Sequence, residues 1–195
     1  MFFLVRHAAH ELVDRVLCGR MPGVSLGDEG KAQARRVATR LSRERIAAVH
    51  TSPLERARET AAPIAERLGL TPEIQEAISE IDVGEWAGRD FASLREDPRW
   101  ASWNNARGVT RPPGGETMLA VQARMVGHIE RVRAARHDQA VVLVSHSDVI
   151  KAALLYFLGM PIDGYRLLDI SPASISTLVI GDWGAKVLSI NEVPA

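Results

Sequence analysis

Cysteine, net charge and long apolar runs are all scarce in this chain, and each scarcity excludes a class of protein. Cys18 is the only cysteine, so no internal disulfide can form, which is typical of a reducing compartment. Lys and Arg together number 24, as do Asp and Glu, so the formal net charge is zero. This balance disfavours nucleic acid or an anionic membrane as a partner, and any anion must be recognised by a local cluster of cations.

No segment approaches the roughly 20 consecutive apolar residues that a transmembrane helix needs. The N-terminal "MFFLV" is too short for the apolar region of a signal peptide. We therefore expect a cytoplasmic protein. The length of 195 residues predicts a single domain that spans residues 1–195. The 46% hydrophobic and 25% charged residues are typical of a globular protein.

Apolar strand patterns alternate with amphipathic helix patterns along most of the chain. Strands are predicted at 2–5, 46–52 and 139–147, helices at 27–46, 52–69, 117–136 and 148–159, and two or three β segments beyond residue 170. This alternation predicts an α/β fold, a three-layer αβα sandwich with a mostly parallel central sheet.

The predicted helix at 52–69 carries its own boundary signals. Ser52 is the expected N-cap, Pro53 the first helical residue and Gly69 the stop. Pro63 is expected to kink or break this helix, because proline removes a backbone donor and clashes with the preceding turn.

Residues 76–117 differ in character from the rest of the chain. This segment is rich in glycine and proline and holds three of the four tryptophans, Trp86, Trp100 and Trp103. We interpret it as an insertion that covers the active site, with the tryptophans mainly packing it against the core.

Two predicted strands end in histidine. "LVRHAAH" delivers Arg6 and His7 at the end of the first strand, and "VLVSHS" delivers His146 at the end of another. Arg56 follows a third strand, in the first turns of the next helix. Ligands of open α/β sheets bind beyond the carboxyl ends of the strands, so these four side chains are expected to converge there.

Two imidazoles and two guanidiniums suit phosphoryl transfer. Guanidinium groups neutralise a phosphate monoester and match its oxygens in bidentate geometry. Imidazole, with an unperturbed pKa of about 6.5, is largely neutral near pH 7 and serves as a covalent carrier. The sequence therefore favours an anion site at this edge of the sheet.

Five ordered segments, read together, resemble the histidine phosphatase superfamily, which includes cofactor-dependent phosphoglycerate mutase and related phosphatases. They are "RHA" (6–8), "SPLERARET" (52–60), "SEIDVGEWAG" (79–88), "PPGGET" (112–117) and "VSHS" (144–147). The resemblance spans residues 2 to about 158, and it implies a phosphoglycerate mutase-like fold.

The resemblance also implies roles for individual residues. His7 would be the nucleophile that takes the phosphoryl group. Arg6, Arg56 and His146 would surround the phosphate oxygens, joined by a backbone N–H near Ser147. Glu80 would protonate the leaving oxygen, which requires a raised pKa.

Some assignments stay open at this point. Glu85 is the alternative proton donor, because it lies close to Glu80 in sequence. No cofactor is implied, and no metal is expected, since His7, His10, His146 and Asp148 lack a known ligand spacing. Asp148 is most simply a first-turn acid that complements the helix dipole.

The chain departs from the family's usual pattern near the nucleophile. Ala8 replaces a glycine, His10 a hydroxyl residue and Val13 an asparagine, while Ser147 replaces a glycine after the second histidine. Two secondary phosphate contacts are thereby lost. Arg20 either compensates by reaching the substrate or lies in solvent.

These patterns predict a phosphomonoesterase that hydrolyses a small phosphorylated metabolite through phosphohistidine at His7. The alternatives are a mutase of phosphoglycerate type and a phosphate-ligand-binding protein with little turnover. The identity of the substrate is not readable from the sequence. A homodimer is an open alternative to a monomer.

Overall fold

The computed structural model describes residues 1–195 and contains six strands and six α-helices. The strands are β1 (Phe2–Arg6), β2 (Ile46–Thr51), β3 (Glu73–Ile74), β4 (Ala140–Ser145), β5 (Ile175–Gly181) and β6 (Gly184–Glu192). The helices are α1 (Asp28–Leu41), α2 (Glu55–Leu68), α3 (Phe91–Arg95), α4 (Pro98–Asn105), α5 (Met118–Ala135) and α6 (Ser147–Phe157). Short 3₁₀ helices span Glu76–Ile78, Gly84–Trp86 and Ile162–Leu167.

All six strands form one mixed sheet in the order β3-β2-β4-β1-β5-β6. The first four strands in this order are parallel, whereas β5 runs antiparallel to β1 and forms a hairpin with β6. β1 and β4 are direct neighbours, and Arg6 is in register with Ser145. The predicted mostly parallel sheet with a terminal hairpin is confirmed.

Side chains of the central strands alternate between two apolar layers, as the period of a β-strand requires. Phe3 and Val5 pack with α1 and α2 on one face of the sheet. Phe2 and Leu4 pack with α5 and α6 on the other face. Helices therefore cover both faces of the sheet, which confirms the predicted three-layer αβα sandwich.

The start of α2 corrects the prediction made from "SPLERARET". The helix begins at Glu55 after Leu54, so Ser52 is not its N-cap and Pro53 is not its first residue. The Ser52 hydroxyl instead lies 2.8 Å from Nε2 of His146 and accepts a hydrogen bond from the N–H of Leu54 at 3.3 Å. A tertiary contact has taken the side chain that a local pattern assigned to a helix cap.

The predicted break at Pro63 is also wrong, because α2 runs without interruption to Leu68. Ala61, Ile64 and Ala65, on either side of the proline, are buried against the layer formed with α1. Their burial offsets the lost backbone hydrogen bond. Gly69 ends the helix in the left-handed conformation, as predicted.

The segment 76–117 contributes both to the core and to the carboxyl edge of the sheet. Trp86 and Trp103 are buried among side chains of α5, α6 and the sheet, and Trp100 packs against both rings. The Trp86 indole N–H donates to Asp97 at 3.2 Å. The tryptophans therefore pack the segment onto the core, as expected. None of the helices is long and apolar enough to cross a bilayer.

Candidate active site

The ends of β1 and β4 bring two histidines from distant parts of the chain together. His7 follows β1 and His146 follows β4, and their ring centroids are 5.1 Å apart. The N–H of His7 donates to the carbonyl of Ser145 at 2.9 Å, which fixes this spacing through the backbone. Arg56, in the first turn of α2, reaches the same edge of the sheet.

His7 has the tautomer and charge that a nucleophile needs. Its Nδ1 lies 2.8 Å from the carbonyl oxygen of Ala8, which accepts but cannot donate, so the proton belongs on Nδ1. Nε2 therefore keeps its lone pair. Burial, followed by the charges of Arg56 and Arg6, holds the pKa of His7 well below its usual value, so the ring is neutral near pH 7.

Arg56 carries hydrogen-bond capacity that the protein does not use. The residue is only 1% exposed. One Nη donates to the carbonyl of Gly19 at 2.7 Å, but Nε and the other Nη have no partner. Buried N–H groups are rarely left unpaired, because the lost hydration is not replaced. Two unpaired donors on a buried cation are suited to an anion.

Arg6, which directly precedes His7, is the second arginine beside this histidine. One of its Nη groups donates to the carbonyl of Ile170 at 2.6 Å, while its Nε is buried without a partner. Burial is the main cause that lowers the pKa values of both Arg6 and Arg56 from their usual range. Both guanidiniums nevertheless stay charged at neutral pH.

One ring nitrogen of His146 is hydrogen-bonded within the protein, and the other is free of hydrogen bonds. Nε2 is bound to the Ser52 hydroxyl, while Nδ1 has no hydrogen-bond partner and lies 3.6 Å from Oε2 of Glu80. Burial and then Arg56 hold the pKa of His146 well below its usual value. The next residue, Ser147, begins α6, whose first N–H groups have no partners within the helix.

Glu80 has the properties of a proton donor. Its Oε1 accepts the N–H of Ile81 at 2.9 Å, and its carboxyl group lies beside His146. Burial, and next the charge of Asp148, raises the pKa of Glu80 from 4.5 to about 7. The carboxyl group is therefore partly protonated at neutral pH, as general acid catalysis requires.

Glu85, the alternative donor, lies elsewhere. Its side chain is 69% exposed, and the nearest opposite charge is Arg99 at 4.0 Å. Arg20 does not reach the phosphate pocket either, which corrects the suggestion that it compensates for lost contacts. It donates to the carbonyl of Glu80 at 2.7 Å and pairs with Glu116 at 3.0 Å. Arg20 thus anchors the loop that carries Glu80.

A cavity of about 140 Å³ is lined by Arg6, His7, Arg56 and Glu80, whereas His146 lies behind them and is not part of its lining. Its lining is formed by Arg6, His7, His10, Val13, Asp14, Val16, Leu17, Cys18, Gly19, Arg56, Glu80, Ile81, Val83, Phe91 and Asp148. No tryptophan is among them. A larger depression of about 440 Å³ beside α2 has no histidine, and its single arginine is offset by two glutamates, so it does not suit an anion.

Two of the departures from the family pattern occur in this cavity. The His10 ring stacks on His7 with centroids 5.4 Å apart, and its Nδ1 is buried without a partner. Burial, followed by Arg56, lowers the pKa of His10 from 6.5 to about 4, so His10 is neutral near pH 7. Val13 lines the cavity as an apolar surface. Ala8 keeps a negative φ, so no glycine is required there.

Sequence reasoning missed a buried ion pair behind the cavity. Arg107 pairs with Asp148 at 2.7 Å and is stacked between the rings of Trp103 and Tyr165, its guanidinium carbon 3.8 Å from each centroid. Asp148 is in the first turn of α6, as expected, but it also lines the cavity. The residues share no local pattern, so only the fold reveals the pair.

No group of three or more His, Cys, Asp or Glu side chains is arranged to hold a metal ion. The fold and the site define an α/β protein in which a neutral histidine and two arginines with unpaired N–H groups meet at the carboxyl edge of the sheet. The family model described as histidine phosphatase superfamily (branch 1) matches residues 2–193. The chain belongs to the histidine phosphatase superfamily, which confirms the resemblance.

Relatives with phosphatase names match most of the chain. Phosphoserine phosphatase 1 of Hydrogenobacter thermophilus is 32% identical over 193 residues, which are 96% of this chain and 90% of that protein. Glucosyl-3-phosphoglycerate phosphatase of Mycolicibacterium vanbaalenii is 29% identical over 170 residues, 76% of this chain and 71% of that protein.

Solved structures agree with this assignment. A mycobacterial glucosyl-3-phosphoglycerate phosphatase superposes with a TM-score of 0.89 at 25% identity, covering 98% of each chain. The alpha-ribazole phosphatase from Shigella flexneri superposes with a TM-score of 0.88 at 26% identity, covering 99% of this chain and 96% of that one.

Proposed function

We propose that the protein is a phosphomonoesterase that hydrolyses a small phosphorylated metabolite through a phosphohistidine at His7. One observation carries the proposal. The buried Nε and one Nη of Arg56, together with the Nε of Arg6, lack partners beside the free Nε2 of a neutral histidine. The phosphatase names of several relatives support the same activity.

The first chemical step transfers the phosphoryl group to the enzyme. Nε2 of His7 attacks phosphorus, an N–P bond forms and the ester P–O bond breaks. Arg6, Arg56 and His146 stabilise the charge on the phosphoryl oxygens during transfer. Glu80 gives its proton to the leaving oxygen, so that an alcohol departs in place of an alkoxide.

The second step releases phosphate. Water attacks phosphorus and the N–P bond breaks. Glu80, now ionised, takes the proton that water loses, which restores the free enzyme and balances the reaction. Its pKa of about 7 suits a group that donates in one step and accepts in the other.

Acid–base stability of the intermediate provides the test. The enzyme is mixed with a ³²P-labelled alkyl phosphate, quenched within one turnover and digested. We expect label on the peptide containing His7, stable in alkali and lost in acid, and none in the His7→Ala variant. Release of phosphate without such a label would contradict the proposal, whereas tight binding without release would favour the phosphate-binding alternative.

A mutase is distinguished in the same experiment. With a phosphoglycerate as substrate, a mutase returns the label to the other hydroxyl of glycerate. The proposed phosphatase returns it to water as inorganic phosphate.

A further inference from the structure

The part of the cavity beyond the phosphate position carries a distinctive charge pattern. Once Arg6 and Arg56 are assigned to the phosphate, the charged groups left in the lining are Glu80, Asp14 and Asp148. Glu80 faces the leaving oxygen in the proposed reaction. Two carboxylates therefore remain to face the organic part of the substrate, and no cation does.

The other arginines and lysines near the cavity lie outside its lining. Lys151, three residues after Asp148 in α6, forms no salt bridge but is not among the lining residues. Arg20 pairs with Glu116 and donates to the Glu80 carbonyl. Arg107 lies behind Asp148, stacked between two rings, and is not part of the lining. A second acidic group on a substrate would thus find no arginine or lysine in this lining besides Arg6 and Arg56.

The two carboxylates keep unused acceptor capacity. Asp148 bonds to Arg107 through Oδ2, and no hydrogen bond of the protein reaches its Oδ1. Asp14 is exposed and forms no salt bridge. It lies in the loop after β1 with φ of 61°, a left-handed conformation that aspartate and asparagine tolerate better than most residues.

The rest of the wall is apolar and the space is small. Val13, Leu17, Val83 and Phe91 surround a cavity of about 140 Å³, well below the roughly 300 Å³ at which pockets for drug-sized ligands begin. An organic group of a few carbon atoms fits this surface.

We propose that the cavity selects compact phosphate esters whose organic part is neutral or positively charged, such as phosphorylated amino alcohols, over esters that carry a carboxylate. The inference rests on the proposed phosphatase activity and adds its substrate class. It also separates this chain from a mutase, because a phosphoglycerate brings a carboxylate into the same space.

Three two-carbon esters that differ in terminal charge test the proposal. They are phosphoethanolamine, 2-hydroxyethyl phosphate and phosphoglycolate. We expect kcat/KM of the wild-type enzyme to fall in that order, with at least about a tenfold difference between the cationic and the anionic ester. Equal or faster hydrolysis of phosphoglycolate would overturn the proposal.

Asp14→Asn supplies the matched variant, because asparagine keeps the left-handed backbone and removes only the charge. The ratio between phosphoethanolamine and phosphoglycolate should shrink by about fivefold. Asp138→Asn is the control, since Asp138 is also exposed with φ of 58° but precedes β4 at the opposite end of the strand. Equal changes in both variants would overturn the proposal.

Failure of the phosphatase function itself gives a different result. In that case the wild-type protein releases no more phosphate from 4-nitrophenyl phosphate than the His7→Ala variant does. In that case, calorimetric dissociation constants of the three esters with the wild-type protein replace kcat/KM. The same order supports the charge selection, and tighter binding of phosphoglycolate refutes it.

Discussion

Two pairs of buried histidines in this protein have nearly the same geometry and opposite surroundings. The rings of His7 and His146 are 5.1 Å apart and tilted by 58°, and those of His50 and His128 are 5.2 Å apart and tilted by 60°. All four residues are less than 5% exposed. Ring spacing and burial therefore do not distinguish a reaction site from a structural contact.

The neighbours make the difference. His50 and His128 bond directly to each other, with Nδ1 and Nε2 3.1 Å apart, and the other ring nitrogen of His50 lies 3.5 Å from a carboxylate oxygen of Glu73. His7 and His146 form no such bond, and Arg56 with unpaired buried N–H groups lies beside them. We therefore assign the proposed reaction to the histidine pair whose neighbouring arginine keeps unpaired N–H groups.

Removing the nucleophile should have the largest effect on this contrast. His7→Ala should lower phosphate release on the order of 10³-fold or more, because no other group forms the covalent intermediate. Thermal unfolding should show that the variant is folded. His128→Gln is the comparison, and it should retain most of the activity. Substantial turnover by folded His7→Ala would remove His7 from its role.

Glu80→Gln should separate substrates by leaving group. With an alkyl phosphate, kcat should fall on the order of 10³-fold, because the alkoxide then leaves without a proton. With 4-nitrophenyl phosphate, whose leaving group needs no proton, the loss should stay below about tenfold. Glu85→Gln, at an exposed position, is the matched control and should change neither rate. Equal losses on both esters would point to a structural role for Glu80.

Arg56→Lys tests whether the unpaired N–H groups of Arg56 contribute to activity beyond its positive charge. Lysine keeps the positive charge but cannot offer the planar pair of donors, so kcat/KM should fall about 10²-fold. Arg58→Lys, two residues further along the same helix, is the control. A variant as active as the wild type would show that charge near His7 is sufficient.

The pH profile should report the protonation of Glu80. Its pKa is raised to about 7, so above that pH the carboxyl group is ionised and cannot donate a proton. We expect kcat/KM for an alkyl phosphate to fall about tenfold per pH unit above pH 7. Glu80→Gln should lack this decline. A decline that persists in that variant would assign it to another group.

The pair of His50 and His128 should affect the pH dependence of the unfolding free energy. Burial lowers the pKa of His128 from 6.5 to about 4, so between these values the unfolded chain binds a proton that the folded protein excludes. Stability is thus full above pH 6.5 and falls as the pH decreases. From pH 8 to pH 5, wild-type unfolding free energy should drop about 2 kcal/mol more than that of His128→Gln.

Urea denaturation at both pH values measures the unfolding free energy of each protein. Exposed His137→Gln is the control and should follow the wild type; equal drops in His128→Gln would contradict the assignment.

Much of the fold follows from local patterns. Continuous apolar runs at 2–5 and within 139–147 predict central strands, and both occur close to the predicted bounds. Thr117 caps α5 through its side chain, as its position before an apolar periodic segment indicates. Such features depend on neighbours within a few residues, which the sequence displays directly.

Ser52 and Pro63 show where local reasoning fails. The hydroxyl of Ser52 could cap a helix, but the fold brings it to His146, 94 positions away, at 2.8 Å. Pro63 disfavours a helix interior, yet packing of both flanks keeps α2 intact. In each case a tertiary contact outweighs a local preference.

The sequence by itself determined the family, the layered fold and the residue types that meet at the ends of β1 and β4. Strand pairing imposes that meeting, so the pattern was readable. Only the tertiary structure decided which hydrogen bonds are already satisfied inside the protein. It alone showed that Arg20 anchors a loop, that Arg107 lies behind Asp148 and that Arg56 has free donors. Such contacts join residues far apart in the chain, and burial sets their energies, which no local pattern encodes.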